Sequence, residues 1–499
     1  MDLFHDLILG FNVALTPLNL LYCLFGALIG TLIGVLPGIG SVATIAMLLP
    51  ITFNIPPVSA LIMLAGIYYG AQYGGSTTSI LVNIPGEAAS VVTCLDGYAM
   101  ARQGRAGPAL GISALGSLFA GCVCTVFIFF FSPLLAEIAF KFGPAEYFSL
   151  MVLGLAAAVV LASGSLLKAI AMVLLGLLLG LVGTDVNSGL RRFCFGISEL
   201  SDGIGFVTVA MGMFGFAEII SNLEIKGKRE VFTSEVKGLM PTWVDMKNSW
   251  KSVLRGTILG SVLGILPGGG ATISSFASYT LEKRLASDPS RFGKGAIEGV
   301  AGPESANNAA AQCSFIPLLT LGIPSNPVMA LMIGAMMIHG IAPGPRLMTE
   351  QPNLFFGMIA SMWVGNLMLV VLNLPLISLW VRLLMVPYGM LFPAILMFCC
   401  IGVYSLNNTP VDVALTAGFG LLGYVFNKIG CQPAPLLLGF ILGPMMKESL
   451  RRTLLLSRGD PTVLFTRPLS LAMLVVAAIL LVLLIAPSLQ HKRKEAFQG

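Results

Sequence analysis

Charged residues are scarce in this chain of 499 residues. Asp, Glu, Lys and Arg together make up 10% of it, whereas about a quarter of the residues in an average soluble domain are charged. Hydrophobic residues make up 56%, and the mean hydropathy is +0.90. This scarcity excludes an ordinary soluble globular domain, and we expect no nucleic acid partner. It predicts a protein embedded in a lipid bilayer.

Residues that commonly carry catalysis are also few or poorly placed. Of the three histidines, His5 and His491 lie near the chain ends and only His339 lies far from them. The sequence contains no H-E-x-x-H, G-x-S-x-G or Walker A motif. The nine cysteines lie mostly in apolar stretches without a C-x-x-C pair, which favours packing over metal or disulfide roles. We therefore expect no enzyme activity, no cofactor and no structural metal.

Long segments with almost no charge account for most of the chain. About 20 apolar residues are needed for a helix to cross the hydrocarbon core of ~30 Å. We count about a dozen such segments. The predicted fold class is an all-α polytopic membrane protein with about 12 transmembrane helices and additional broken or re-entrant segments.

One pattern of glycine and proline occurs twice, at a fixed offset of 230 residues. A row of glycines spaced by four residues runs into a Pro-Gly-x-Gly break. The members are Gly26, Gly30, Gly34, Pro37, Gly38 and Gly40 in the first copy, and Gly256, Gly260, Gly264, Pro267, Gly268 and Gly270 in the second. The pattern predicts two related halves.

The glycine rows and the breaks have different explanations. Rows of small residues at i, i+4 and i+8 let two membrane helices approach closely, so each row by itself favours helix packing. A Pro-Gly-x-Gly break frees backbone groups, which are tolerated at membrane depth only when they are buried in protein or face a cavity. Duplicated broken helices are typical of transporters with binding sites at the breaks.

A polar segment follows each break, at residues 70–90 and 298–327, and we predict both as loops. Each contains an Ile-Pro step with the prolines Pro85 and Pro324. Such segments can present backbone N–H groups to an anion and side-chain oxygens to a small cation. Their candidate substrate- or ion-binding residues are Gly75, Ser76, Thr77, Thr78, Asn83, Gly86, Glu87, Glu304, Asn307, Asn308, Ser325 and Asn326.

The two glutamates, Glu87 and Glu304, are the most informative charges. An ionisable group at membrane depth is a candidate functional group, and either could mediate proton coupling or take part in a Na⁺ site at the helix breaks. Each could instead cap a helix at the membrane surface. A polar surface loop remains an alternative for both segments.

Charge distribution predicts the domains and their orientation. The first repeat is assigned to residues 1–223, a basic cytoplasmic linker to 224–252, the second repeat to 253–450, and an extra helix with a basic tail to 451–499. Basic loops stay in the cytoplasm, and the first ten residues contain acids but no Lys or Arg. The repeats are therefore predicted to have inverted topology, whereas the orientation of the last helix stays open.

Several motifs resemble the TctA family, the large membrane subunits of tripartite tricarboxylate transporters. They are the break at 36–40, the run 73–87 ending Ile84-Pro85-Gly86-Glu87, the segment 303–311 beginning Pro303-Glu304-Ser305, and the segment 316–324. The resemblance implies Na⁺- or H⁺-driven uptake of a citrate-like carboxylate across the bacterial inner membrane. It also implies a small membrane subunit of about four helices and a periplasmic solute-binding protein as partners. A channel and a non-transporting scaffold subunit remain alternatives.

Overall fold

The computed structural model describes residues 3–36, 40–161, 165–185, 188–224, 238–266, 270–383 and 388–485. Within these ranges the chain is nearly all helical, which confirms the all-α fold class. One antiparallel pair joins β1 (Gly183–Thr184) to β2 (Arg191–Arg192), with Gly183 opposite Arg192.

The helices of the first half are α1 (Leu3–Ala14), α2 (Pro17–Val35), α3 (Ser41–Thr52), α4 (Pro57–Val82), α5 (Val91–Thr93), α6 (Ala99–Arg102), α7 (Ala106–Ala139), α8 (Pro144–Leu161), α9 (Leu166–Leu179), α10 (Phe206–Ala210) and α11 (Ala217–Leu223). Two π-helical segments, Cys94–Tyr98 and Met211–Phe216, lie between α5 and α6 and between α10 and α11. Short 3₁₀ turns form at Ala88–Ser90 and Ser198–Asp202.

The helices of the second half are α12 (Trp243–Ile265), α13 (Gly270–Leu285), α14 (Glu298–Cys313), α15 (Phe315–Leu321), α16 (Pro327–Ile338), α17 (Leu347–Glu350), α18 (Pro352–Asn373), α19 (Ile377–Leu383), α20 (Tyr388–Asn407), α21 (Pro410–Lys428), α22 (Pro433–Leu456), α23 (Val463–Thr466) and α24 (Pro468–Ile485). A 3₁₀ turn forms at Pro289–Arg291.

Three of the described helices, α2, α7 and α18, are long and apolar enough to cross a membrane. Shorter apolar helices, including α1, α3, α9 and α16, accompany them. The structure thus supports a helical membrane protein, while the expected number of about 12 crossings stays a prediction.

The same packing of two helices occurs in both halves. α2 lies along α4, and α12 lies along α14. The glycines of each row lie where a Cβ would collide with a backbone carbonyl of the facing helix: Gly26 with Met63, Gly30 with Ile67, Gly34 with Ala71, Gly256 with Gly302, Gly260 with Ala306, and Gly264 with Ala310. The carbonyls are spaced by four residues, as the glycines are. The packing role of the rows is confirmed, and the inversion of the second unit across the bilayer stays a prediction.

The two polar segments are more helical than expected. Residues 70–82 continue α4, and residues 298–321 form α14 and α15, so the loop prediction is wrong for these stretches. Hydroxyl groups stay inside the helix by donating to the carbonyl four residues earlier, as Ser79 does to Gly75 at 2.9 Å and Ser305 does to Ala301 at 2.7 Å. At membrane depth a helix satisfies its backbone internally, which outweighs the weak helix preference of these residues.

Two predicted domain boundaries fall inside helices. α12 begins at Trp243, where Thr242 and Asp245 form a capping box, so the boundary at 253 lies ten residues inside this helix. α22 continues to Leu456, beyond the boundary at 450. Residues 225–237 of the expected linker and the tail 486–499 lie outside the described residues.

Candidate functional site

A cavity of about 340 Å³ lies where the two repeated units meet. It is lined by the first residues of α3 and α13, Ser41 and Gly270, and by Glu87, Ser325 and Asn326 beside the two Ile-Pro steps. Other polar lining residues are Tyr68, Gln72, Thr272 and Gln432. No lysine or arginine in the described ranges lines it. Its volume is within the range of small-molecule sites.

Both units place a helix N-terminus and an Ile-Pro turn at this cavity. The helices before the turns end in residues with left-handed backbone, Asn83 at φ 57° and Gly322 at φ 70°. Pro85 and Pro324 follow two residues later. In each unit a buried helix therefore ends here, and the chain turns back toward the beginning of α3 or α13.

The N-termini of α3 and α13 differ in how they are occupied. Gly40 and Gly270 have positive φ, 53° and 48°, which favours glycine. The Glu87 carboxylate accepts the backbone N–H of Ser41 at the start of α3. At Gly270, by contrast, an added Cβ would meet no atom within 4 Å. Pro37, Gly38, Pro267 and Gly268, predicted to shape the breaks, lie outside the described residues.

Gly75 and Gly86, predicted as ligands, make close backbone packing possible beside Glu87. An added Cβ on Gly75 would lie 3.0 Å from the backbone N of Glu87. One on Gly86 would lie 2.6 Å from the Cα of Gly75 and would collide with the carbonyl of Gly34. Because a side chain at either position would displace this turn, the two glycines fix the position of the Glu87 carboxylate.

The turn of the second unit presents Asn326 and Ser325 to the same cavity. The Asn326 Oδ1 accepts the N–H of Met329 at 3.0 Å and caps α16, while its Nδ2 donates to the Tyr68 hydroxyl at 3.3 Å. Ser325 donates to the carbonyl of Ser314 at 3.4 Å. Asn326 thus connects the second unit to α4 of the first, and both residues lie where the sequence predicts a site.

Glu304 lies outside this cavity, in the middle of α14, and only 1% of it is exposed. Its carboxylate accepts hydrogen bonds from the hydroxyls of Ser76 in α4 and Thr93 in α5. No lysine or arginine of the described chain pairs with it. The alternative that Glu304 caps a surface helix is wrong, because the residue is buried between the halves.

The asparagines beside Glu304 retain unused hydrogen-bonding capacity. Asn308 donates to the Ser117 hydroxyl at 2.7 Å and to the carbonyl of Glu304 at 3.1 Å, which leaves its Oδ1 without a partner in the described part. Asn307 has no partner for either amide atom there, and neither has Gln312. Buried amides are almost always hydrogen-bonded, so this surplus marks a place where a ligand or water can bind.

Three predicted residues do not line the larger cavity. Thr78 donates to the carbonyl of Val35 at 2.8 Å and satisfies the end of α2. Thr77 lines a separate cavity of about 10 Å³ with Tyr73. Asn83 is exposed as the left-handed cap of α4. These positions have structural roles or face away from the cavity.

The chain is similar in sequence to one family of membrane transport proteins. The sequence model of the tripartite tricarboxylate transporter TctA family matches residues 20–438. The chain belongs to the TctA family. The motif resemblance is thereby confirmed, and membership makes the chain a transporter subunit of a tripartite system.

Two relatives of this TctA-family chain come from Agrobacterium vitis. One, described as an uncharacterized 52.8 kDa protein in the TAR-I ttuC' 3'region, is 58% identical over 497 residues, covering 100% of this chain and 99% of the relative. The other, described as an uncharacterized protein in the TAR-II ttuC' 3'region, is 60% identical over 238 residues, covering 48% of this chain and 98% of the relative. No solved structure matches.

Several residues that the tertiary structure brings to these sites are not among those predicted from the sequence. Ser41, Tyr68 and Gln72 line the cavity, and Thr93 holds Glu304. The Gln72 Oε1 is buried without a partner among the described residues. An amide within a charge-free helix, one turn before Ser76, was the signal that could have identified Gln72 in this TctA-family chain.

Proposed function

We propose that this chain is the translocating membrane subunit of a secondary transporter for carboxylates in the bacterial inner membrane. An ion gradient drives uptake, a periplasmic solute-binding protein delivers the substrate, and a small membrane subunit of about four helices completes the permease. Family membership supports the general class. The cavity between the repeated units is the observation that supports a carboxylate as the substrate.

The charge distribution of the cavity suits an anion that must bind and leave. Helix N-termini attract anions through unpaired N–H groups and the helix dipole. Glu87 already places one carboxylate at the N-terminus of α3, whereas the space at Gly270, at the start of α13, is open. A substrate carboxylate would bind there, with Gln72 and Asn326 as neutral polar neighbours. No cationic side chain of the described chain lines the cavity to hold the anion too tightly.

Glu87 connects substrate binding to a coupling ion. Its carboxylate shares the cavity with the proposed substrate, and like charges repel strongly where water is restricted. A proton or Na⁺ at Glu87 would remove this repulsion. Ion and substrate would then each raise the affinity for the other, as thermodynamic linkage requires.

Glu304 is the second candidate for the coupling ion. It is a buried carboxylate with hydroxyl donors and, within the described chain, no cationic partner. The unpartnered amide oxygens of Asn307 and Asn308 lie three and four residues later on α14. A carboxylate with neutral oxygen donors suits either a proton or a small hard cation.

The test is uptake into proteoliposomes that contain this chain and its small subunit. Labelled citrate, malate and tartrate are supplied with and without the binding protein, under an imposed Na⁺ or proton gradient. Saturable uptake that needs the binding protein and one gradient supports the proposal. Non-saturable flux without the binding protein would identify a channel, and no flux of any carboxylate would contradict the proposed transport.

Variants locate the site within this assay. Gln72→Met removes the cavity-lining amide at similar volume and should raise the KM about two- to tenfold, the effect of one hydrogen bond. The control is Asn83→Gly, which keeps the left-handed cap on an exposed residue and should leave uptake unchanged. Equal KM values for Gln72→Met and the unmodified chain would exclude the cavity as the binding site.

A further inference from the structure

A second cavity, of about 730 Å³, opens on the outer face of the helix bundle beside α9 and α22. Its apolar lining residues include Leu177, Leu181, Leu450 and Leu454. It shares no lining residue with the cavity at Glu87. Leu455, which also lines it, is 71% exposed. The cavity therefore continues into an apolar surface that faces away from the core.

Four cations surround this apolar cavity: Arg192, Lys447, Arg451 and Arg458. Three of them share one carboxylate, because Asp185 lies 2.7 Å from Arg192, 2.9 Å from Lys447 and 3.5 Å from Arg451. Within the described chain the Arg458 side chain has neither an ion pair nor a side-chain hydrogen bond. The group of four cations and one carboxylate has a surplus of three positive charges.

The cavity lies where both helices change from apolar to charged. α22 is apolar from Leu436 to Gly443, and its charged residues begin at Lys447. α9 likewise ends in leucines, and the hairpin that carries Asp185 follows it. Leu450 and Leu454 of α22 lie between Lys447 and Arg458, so apolar and cationic side chains line the cavity together. Such a mixture corresponds to the depth at which lipid headgroups meet acyl chains.

We propose that this cavity binds an anionic phospholipid. The phosphodiester would accept hydrogen bonds from Arg451, Arg458 and Lys447, because phosphate oxygens form strong charge-assisted bonds with such donors. An acyl chain would lie along Leu177 and Leu454. Basic pockets between transmembrane helices are suited to acidic lipid headgroups. A small carboxylate would leave the leucine walls in water, and an apolar partner helix would bury the positive charge without a counterion.

The experiment uses the full chain, purified in a neutral detergent and depleted of lipid. Dioleoylphosphatidylglycerol is titrated and the retained lipid is counted by native mass spectrometry, with dioleoylphosphatidylcholine and soluble glycerol 3-phosphate as comparison ligands. Phosphatidylglycerol should be retained at least tenfold more tightly than phosphatidylcholine. Glycerol 3-phosphate should not bind detectably, because it has no acyl chain.

Arg458→Gln tests the site because the Arg458 side chain has no partner to lose within the described chain. Loss of one cation near a lipid surface should weaken retention of phosphatidylglycerol about fivefold. The matched control is Arg452→Gln, since Arg452 lies outside the cavity and pairs with Glu448 at 2.8 Å. Each variant is first compared with the unmodified chain in thermal unfolding, so that a folding defect is recognised.

Four outcomes would overturn the proposal. These are equal retention of the two lipids, equal binding of glycerol 3-phosphate, unchanged retention in both Arg458→Gln and Arg451→Gln, and loss of lipid when the small membrane subunit is co-purified. The last result would identify the surface as a subunit interface. None of these results depends on carboxylate uptake, so the lipid site and the transport function are tested separately.

Discussion

Replacing Glu87 by Gln should raise the affinity of the cavity for a carboxylate. The side chain keeps its size, and an amide oxygen can still accept the N–H of Ser41 that caps α3. What disappears is the negative charge that Glu87 places in the proposed binding site. The variant therefore separates the electrostatic role of Glu87 from its structural one.

The expected magnitude follows from the size of the cavity. A sphere of 340 Å³ is about 9 Å across, and two like charges at this distance repel by about 2 kcal/mol at an effective dielectric constant of about 20. Glu87→Gln should therefore lower the dissociation constant of a carboxylate about 20-fold when the coupling ion is absent. Saturating coupling ion should bring the unmodified chain close to the affinity of the variant.

The assay is equilibrium binding of labelled substrate to purified protein, at low and high Na⁺ and at several pH values. Glu282→Gln is the control, because it makes the same carboxylate-to-amide change outside the cavity, where Glu282 pairs with Arg255. It should leave substrate affinity within about twofold, which is below half a kcal/mol. If Glu87→Gln bound the substrate no more tightly, or kept the ion dependence of the unmodified chain, the electrostatic coupling would be refuted.

Three other predictions concern Glu304, the glycine rows and Asp185. Glu304→Gln should abolish the ion dependence of uptake. It should change the substrate affinity measured without a gradient by no more than about threefold, because Glu304 does not line the cavity. Uptake that still depends on the ion would contradict the role of Glu304. Gly260→Ala should destabilise the protein by about 1–3 kcal/mol, because a Cβ would collide with a carbonyl of α14. The control is Gly418→Ala, because a Cβ at Gly418 would enter open space, and this change should leave stability in thermal unfolding unchanged or raise it. Equal destabilisation by Gly260→Ala and Gly418→Ala would contradict the packing argument. Hydrogen bonds from Lys447 and Ser188 hold the pKa of Asp185 well below its usual range, so its stabilising effect should be complete at neutral pH and decline below about pH 4. The melting temperature of the unmodified chain should then approach that of Asp185→Asn, and a constant difference down to about pH 2 would contradict this.

Local sequence patterns were sufficient for the membrane class, the duplicated unit and the positions of the turns. Low charge content predicts burial in lipid wherever it occurs in the chain. A glycine row such as Gly26, Gly30 and Gly34 requires a backbone at close distance, whichever helix supplies it. Ile84-Pro85 and Ile323-Pro324 mark helix ends because proline restricts the residue before it.

The polar segments show where local reasoning fails. Glycines, hydroxyls and amides are weak helix formers in water, and this favoured loops at 70–90 and 298–327. Inside the protein, residues 70–82 and 298–321 are helical, because an unpaired backbone group costs more there than a poor helix propensity. The environment, and not the local sequence, decides whether these residues form a helix or a loop.

The sequence by itself determined which residues are polar in an apolar chain, and therefore the family and the list of candidates. Only the tertiary structure decided which candidates meet. Glu304 finds its hydroxyl partners 228 and 211 positions away, and Glu87 reaches the start of α3 from 46 positions away, whereas Asn83 faces outward. Helix periodicity fixes the direction of a side chain on its own helix. The crossing of distant helices determines what that side chain contacts.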